Sequence, residues 1–314
     1  MAVNSTTATA MQAPDALDEG EVNLFHEQGF LSLPAFALAD ELQTLGEILP
    51  RLFNEQAGRA EGSYYDLVTD DGEDAKRLLP TIMNPHHFAP ALRHMPMQAR
   101  GLAAARQLLG PSATPTFQHA ILKPAHEGSE TPWHQDEAYR FDSKFAYEQV
   151  SIWIPLQTVT AENGCMVYLP KSHQSGVLPH RSLHDDPHIQ AIECAAEFDQ
   201  TRGVECPLPA GGATIHHGRT LHYASPNRTD APRYAYIMVF ETPPRMLAKP
   251  RDLWWLREKA SRGLERKRQW RRRGGVLIEM IRKSRDGVWR SPRRVAFEML
   301  RGWHWFLALI RGRD

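Results

Sequence analysis

The chain has 314 residues, 42% apolar and 24% charged, which is enough to bury a core in one large domain or two small ones. Three cysteines without CxxC spacing argue against a disulfide framework or a cysteine-based zinc site, and no uncharged apolar run approaches the ~20 residues of a membrane span. Net charge is zero but divided: residues 251–314 hold 19 Lys and Arg against 7 Asp and Glu, leaving 18 against 30 for residues 1–250.

The opening MAVNSTTATAMQAPDALDEGE lacks a basic start and an apolar core. It reads as a loose tail over residues 1–19 and not as a secretory signal, which favours a cytoplasmic setting. Val22, Phe25, Phe30, Leu31 and Leu33 lead into Pro34; Leu42, Leu45, Ile48, Leu49 and Leu52 then recur at helical spacing, with Asp40 as the expected cap. Residues 58–75, rich in glycine and acids, predict a loop. Tyr64 and Tyr65 within it either touch a ligand or pack locally. Residues 96–109 predict a helix.

From about residue 115 the pattern changes to short apolar stretches: TFQHAILK, QVSIWIPLQ, GCMVYLP, GGATIHH and RYAYIMVFE. No long helices separate them. The expectation is therefore a mainly β domain over 20–246, with antiparallel strands in a barrel or jelly roll and helices packed outside. A basic helical extension follows over 247–314. Its Arg266–Arg273 run suits phosphates, and Trp303 and Trp305 among aliphatics and arginines suit a membrane interface. Packing on the acidic part of the same chain, or dimerisation, ranks first; an anionic membrane or lipid ranks second and nucleic acid last. The oligomeric state stays open.

Chemistry concentrates in Trp133-His134-Gln135-Asp136. Residues i and i+2 of a strand share a face, so His134 and Asp136 aim at one spot. With a distant histidine they complete two imidazoles and a carboxylate, a set that leaves adjacent positions open on Fe(II). His222 is the preferred third ligand because Arg233 follows eleven residues later; a strand–turn–strand layout through Ser225-Pro226-Asn227 would bring the guanidinium beside it, suited to a carboxylate. His216 and His217 are alternatives, with His217 read as a supporting or packing residue. Cys165 reads as an apolar strand residue and not as a nucleophile.

WHQD, NGCMVYLPKSH and the His222/Arg233 pair together resemble the phytanoyl-CoA dioxygenase family over about residues 20–243. The resemblance implies a double-stranded β-helix (jelly roll, cupin-like) using Fe(II), 2-oxoglutarate and O2. It places His134, Asp136 and His222 on iron, and Arg233 on the distal carboxylate of 2-oxoglutarate. Trp153 would line the cosubstrate pocket. His119 stands where relatives often hydrogen-bond the cosubstrate. Ala224 replaces a common hydroxyl residue, with Ser225 next to it, and Lys171 replaces a glycine. Asp136 favours hydroxylation over halogenation, because halogenating relatives lose this carboxylate. The implied activity is hydroxylation of an unactivated C–H of a small-molecule or carrier-bound metabolite, with release of succinate and CO2; desaturation, epoxidation or ring formation stay open. Tyr64, Tyr65, Trp133, Tyr139, Arg140 and Phe141 are candidate pocket-mouth residues. The rival reading is a metal-silent barrel binding a ligand, membrane or nucleic acid through its basic helices. The four-residue set argues against it.

Overall fold

The computed structural model describes residues 16–141 and 143–286. In chain order the strands are β1 (Phe30–Leu33), β2 (Tyr64–Asp66), β3 (Pro80–Met83), β4 (Thr114–Lys123), β5 (Thr131–His134), β6 (Phe145–Ala146), β7 (Gln149–Pro155), β8 (Met166–Tyr168), β9 (His180–Ser182), β10 (Ile192–Cys194), β11 (Val204–Cys206), β12 (Ala213–His217), β13 (His222–Ala224), β14 (Arg233–Glu241) and β15 (Arg245–Met246). Seven form a large sheet in the order β1-β12-β7-β14-β4-β3-β2, and four form a small sheet in the order β11-β8-β13-β5. The pairings within both are antiparallel. All five predicted strand segments are present, and two facing antiparallel sheets make the expected double-stranded β-helix.

β7 is buried along its whole length because both faces of the large sheet are covered. On the outer face, Val150, Ile152 and Ile154 join Leu45, Leu49 and Leu52 of helix α2 and Ala104, Ala105 and Leu108 of α3 in the largest apolar core. On the inner face, Trp153, Cys165, Met166, Tyr168 and Cys206 form a second core between the sheets. Burial pushes the Cys206 thiol up to about 12 and raises that of Cys165.

Helix α1 (Glu19–Gln28) is closed by an Asp18/Glu21 capping box and ends at Gly29, whose φ of 88° turns the chain into β1. Helix α2 (Ala39–Asn54) follows, and α3 (Pro96–Leu109) matches its expected span. Asp40 is not the cap of α2. Leu38 holds that position, and its N–H is taken by the Glu41 carboxylate at 2.8 Å. Residues 58–75 are not wholly loop, since Tyr64–Asp66 pair with β3 as a sheet edge. Asp66 then accepts the N–H groups of Val68, Thr69, Leu78 and Leu79, which fixes the acidic segment.

After β15 the chain forms α4 (Arg262–Trp270) and α5 (Val276–Arg285). The basic side chains of this segment meet acidic groups of the β domain. Arg282 contacts Glu61 at 2.8 Å, and Asp286 ends α5 between His86, His87 and Arg93. Asp71, buried, collects the guanidiniums of Arg59, Arg77 and Arg266. Over the described residues, part of the extension's basic excess is therefore matched within the chain, through Arg266 on Asp71 and Arg282 on Glu61. No helix among them is long and apolar enough to cross a membrane. The membrane-interface reading of Trp303 and Trp305 falls on 287–314, outside the described residues.

Asp71→Ala would leave three guanidiniums facing a buried gap. It should lower stability by roughly 3 kcal/mol, read from urea midpoints, and should expose α4 to limited proteolysis.

Candidate active site

A cavity of about 310 Å³ opens between the two sheets. On β4, β14 and β13 its wall follows the two-residue period of strands, and on β5 a register shift brings Thr131 and His134 to the same side. β4 contributes Phe117, His119 and Ile121, β14 contributes Arg233 and Ile237, β5 contributes Thr131 and His134, and β13 contributes His222 and Ala224. His134 and His222 are direct cross-strand partners in the small sheet.

Each of these two imidazoles has one nitrogen committed to the backbone. His134 Nδ1 lies 2.7 Å from Pro132 O, and His222 Nδ1 lies 2.9 Å from Thr220 O. Nδ1–H donation to a carbonyl leaves each Nε2 as a free acceptor facing the cavity. Asp136 Oδ1 stands 3.7 Å from His134 Nε2 and 3.6 Å from His222 Nε2, and one ligand atom from each of the three lies within 4.8 Å of the others. Burial, with His134 and His216 nearby, holds His222 well below the usual histidine range, so it is neutral and competent to ligate. β5 ends at His134, and Asp136 opens a 3₁₀ turn instead of continuing the strand.

That turn carries the carboxylate to the large sheet. Ser151 Oγ on β7 donates to Asp136 Oδ2 at 2.6 Å. His216 Nε2 lies 3.2 Å from the same oxygen, and behind it stand Tyr168 and Thr214 at 3.0 and 2.7 Å. These groups satisfy one another in a single direction: Thr214 O–H to Tyr168, Tyr168 O–H to His216 Nδ1, His216 Nε2–H to Asp136. Burial works against the charge on Asp136, but the surrounding imidazoles of His134, His216 and His222 hold it well below the usual carboxylate range.

A few residues away the cavity ends on a cation. Arg233 is 2% exposed, and its Nε and Nη1 have no hydrogen-bond partner. Its guanidinium sits 5.4 Å from the ring centroid of Trp153. Burial lowers it to about 9. His119, also without a partner for Nδ1, is pushed by burial down to about 4. A buried guanidinium with unused donors is costly unless an anion fills the space. The donor set thus fits Fe(II), and the orphaned cation fits a carboxylate of a chelating acid beside it.

Residues 25–235 match the phytanoyl-CoA dioxygenase (PhyH) family. The chain belongs to the phytanoyl-CoA dioxygenase family. It is a 2-oxoglutarate-dependent dioxygenase, with Fe(II), 2-oxoglutarate and O2 as its metal and cosubstrates. Among its relatives, a probable alpha-ketoglutarate-dependent hypophosphite dioxygenase of Stutzerimonas stutzeri is 27% identical, over 65% of this chain and 71% of its own. The L-proline trans-4-hydroxylase of Streptomyces griseoviridis is 28% identical, over 68% and 82%. The crystal structure of EvdO2 from Micromonospora carbonacea var. aurantiaca, complexed with 2-oxoglutarate, superposes with a TM-score of 0.67 at 35% identity, over 78% of this chain and 99% of that one.

Within this member of the family, the structure brings His134, Asp136, His222, Arg233, Trp153 and His119 to one cavity, with Tyr65, Tyr139 and Arg140 on its outer half. Four expected residues lie elsewhere. Ser225 turns its hydroxyl to Ala161 O at 2.6 Å, and Ala224 lines the cavity instead. Trp133 packs on Phe198 and Tyr223, because the neighbour of His134 on a strand faces the other way. Tyr64 packs against Phe53 by the same parity, and Phe141 is exposed. Arg233 reaches the site by another route than expected, since β13 and β14 lie in different sheets.

Sequence reasoning missed Ser151, Gln190 and Lys123. The buried Lys123 ammonium donates to Ser129, Ala224 and Ser225 carbonyls and so ties β4 to the strand of His222. Lys171, at the position of the family's glycine, keeps a left-handed φ of 65°. His217 lies outside the cavity lining: its Nε2 contacts Glu148 at 2.8 Å, beside Arg219 at 2.6 Å. The group His86, His87 and Asp286 differs from the triad, because Arg93 already engages the carboxylate and His86 Nδ1 has no partner to orient its ring.

Ser151→Ala removes the shortest hydrogen bond on Asp136 and should weaken Fe(II) binding by about 10–100-fold, read by anaerobic metal titration. A second expectation concerns acid. His217, then Arg219, hold Glu148 at about 2, below the usual 4.5. A depressed carboxyl stabilises the fold above its unfolded value and loses that contribution as pH falls towards the folded one. Glu148 is more than a third exposed, so Glu148→Gln should cost about 1 kcal/mol or less at pH 7. The difference in Tm between the two proteins should shrink from pH 4.5 downwards and vanish near pH 2.

Proposed function

We propose that His134, Asp136 and His222 hold Fe(II), that Arg233 takes the distal carboxylate of 2-oxoglutarate, and that this site hydroxylates an unactivated C–H of a small-molecule or carrier-bound metabolite, releasing succinate and CO2. One observation carries the reading: a buried guanidinium with free donors shares a cavity with two Nε2 atoms and a carboxylate. The iron, once bound with its cosubstrates, supplies the oxidising chemistry. The chain's own part is placement. Pro132 and Thr220 carbonyls aim the imidazoles, Ser151 and His216 fix the carboxylate, and Trp153 flanks the guanidinium. The apolar wall of Met83, Phe117, Ile121 and Ile237 keeps water from the reacting carbon.

The outer half of the cavity is close to neutral. Arg140 is its cation, and it is paired with Glu241 and stacked near Phe117 and Tyr147. The other polar groups there are uncharged: Tyr65, Tyr139, Gln190 and Thr81. This favours a substrate whose buried portion is uncharged, held by aromatic faces and neutral hydrogen bonds. The same wall disfavours the rival of a purely binding barrel, which has no need of an orphaned cation behind a triad.

Anaerobic Fe(II) with 2-oxoglutarate should give a visible charge-transfer band. Arg233→Ala should weaken 2-oxoglutarate about 100-fold while leaving Fe(II) binding intact. His134→Ala should abolish succinate formation. A band that titrates identically in Arg233→Ala would remove Arg233 from the site.

A further inference from the structure

Three residues on the outer half of the cavity, Tyr65, Tyr139 and Gln190, share a feature that the rest of the wall lacks. Each is braced from behind by residues 251–266, a segment beyond the 25–235 matched to the family. The Tyr139 turn is held at two points: Arg251 pairs with the fully buried Glu137, and Trp255 Nε1 donates to Ala138 O at 3.0 Å. The Gln190 segment is clamped on both sides. Lys259 Nζ donates to Ile189 O at 2.6 Å and to Ala191 O at 2.8 Å, and Ser261 Oγ donates to Gln190 Oε1 itself. The Tyr65 edge strand meets the first turn of α4. A Cβ on Gly263 would lie 3.2 Å from Tyr65 Cβ and 3.3 Å from its Cγ, and a Cβ on Gly62 would lie 2.4 Å from Gly263 O. Arg266 adds a contact to Tyr64 O at 3.4 Å.

The braced segments also meet one another. Ile192 N donates to the Tyr139 hydroxyl at 3.1 Å, and Ala191 N donates to Leu67 O at 2.7 Å, next to β2. The hydrogen bonds of the metal triad and the ring contact of Arg233 come from residues 132–220 of the β domain, and the two regions meet where Tyr139 packs on His134 at a centroid distance of 5.6 Å, on the turn that Asp136 opens. Bracing by a buried ammonium, an indole N–H and a glycine-to-ring contact restricts rotamers at the three side chains that a substrate meets first.

We infer that the start of the C-terminal extension is a positioning element of the active site: residues 251–266 set the substrate-facing wall of Tyr65, Tyr139 and Gln190. This rests on the reading of the cavity as the dioxygenase site.

The test uses the full chain with two perturbations from behind the wall. Gly263→Val presses on Tyr65. Ser261→Ala releases Gln190, and Ser261→Thr restores the hydroxyl. Protein labelled with 3-fluorotyrosine, its resonances assigned by Tyr65→Phe and Tyr139→Phe, reports the two rings. Fe(II) and 2-oxoglutarate, added anaerobically, report the inner half through the charge-transfer band.

Gly263→Val should move the Tyr65 resonance while 2-oxoglutarate affinity stays within about twofold of wild type. Ser261→Ala should raise amide exchange over residues 189–192 up to about tenfold, with Ser261→Thr at the wild-type rate. Lower Tm with unmoved tyrosine resonances and unchanged exchange would overturn the inference, because the extension would then stabilise the domain without shaping the wall. An equal loss of 2-oxoglutarate binding would overturn it too. If the wild type itself gave no band, the dioxygenase reading of the cavity would fail first. Should Gly263→Val not fold, Ser261→Ala decides the matter.

Discussion

The carboxylate of Asp136 leaves the small sheet on the turn after His134 and is held by Ser151 and His216 of the large sheet. Two sheets that could slide on an apolar interface are thereby locked in one register at the point where chemistry takes place. The lock is a largely buried anion with two neutral donors, which is stable only while each donor stays in reach. Everything around it serves that condition: β7 is buried on both faces, Tyr168 and Thr214 queue behind His216, and carbonyls fix both imidazoles.

Arg233 complements this at the other end of the cavity. Its charge is carried into the interior with two nitrogens unmatched, a cost that the fold bears for the sake of a ligand. Anion and cation are separated along one cavity and point inward from different sheets. A cation beside Asp136 and a carboxylate beside Arg233 would answer the two demands separately.

The mainly β fold class and the His134/Asp136 pair were legible in the sequence from short-range periodicity, whereas His222 came from its spacing to Arg233 and from the family resemblance. Alternating apolar strands announce a sheet, and an i, i+2 spacing aims His134 and Asp136 together. The same parity argument, pressed further, separates Trp133 from His134, Ala224 from Ser225 and Tyr65 from Tyr64. By that parity Trp133, Ser225 and Tyr64 turn away from the cavity. What the sequence hides is long-range. That Arg233 sits across a sheet interface from His222, that Lys123 clamps the strand of His222, and that Lys259 reaches carbonyls some seventy residues away are products of topology. The charge imbalance between the two parts of the chain was plain, but its partial resolution into Arg266–Asp71 and Arg282–Glu61 contacts needed the packed molecule.

The inner core also bears on durability. An oxygenase that fires without a properly seated substrate endangers its own oxidisable side chains, and Cys165 and Cys206 stand in the layer behind the cavity wall. Oxidation of sulfur by peroxide proceeds through the thiolate. Apolar surroundings keep both sulfurs protonated, so the two thiols nearest the cavity wall are held in the form least reactive towards peroxide.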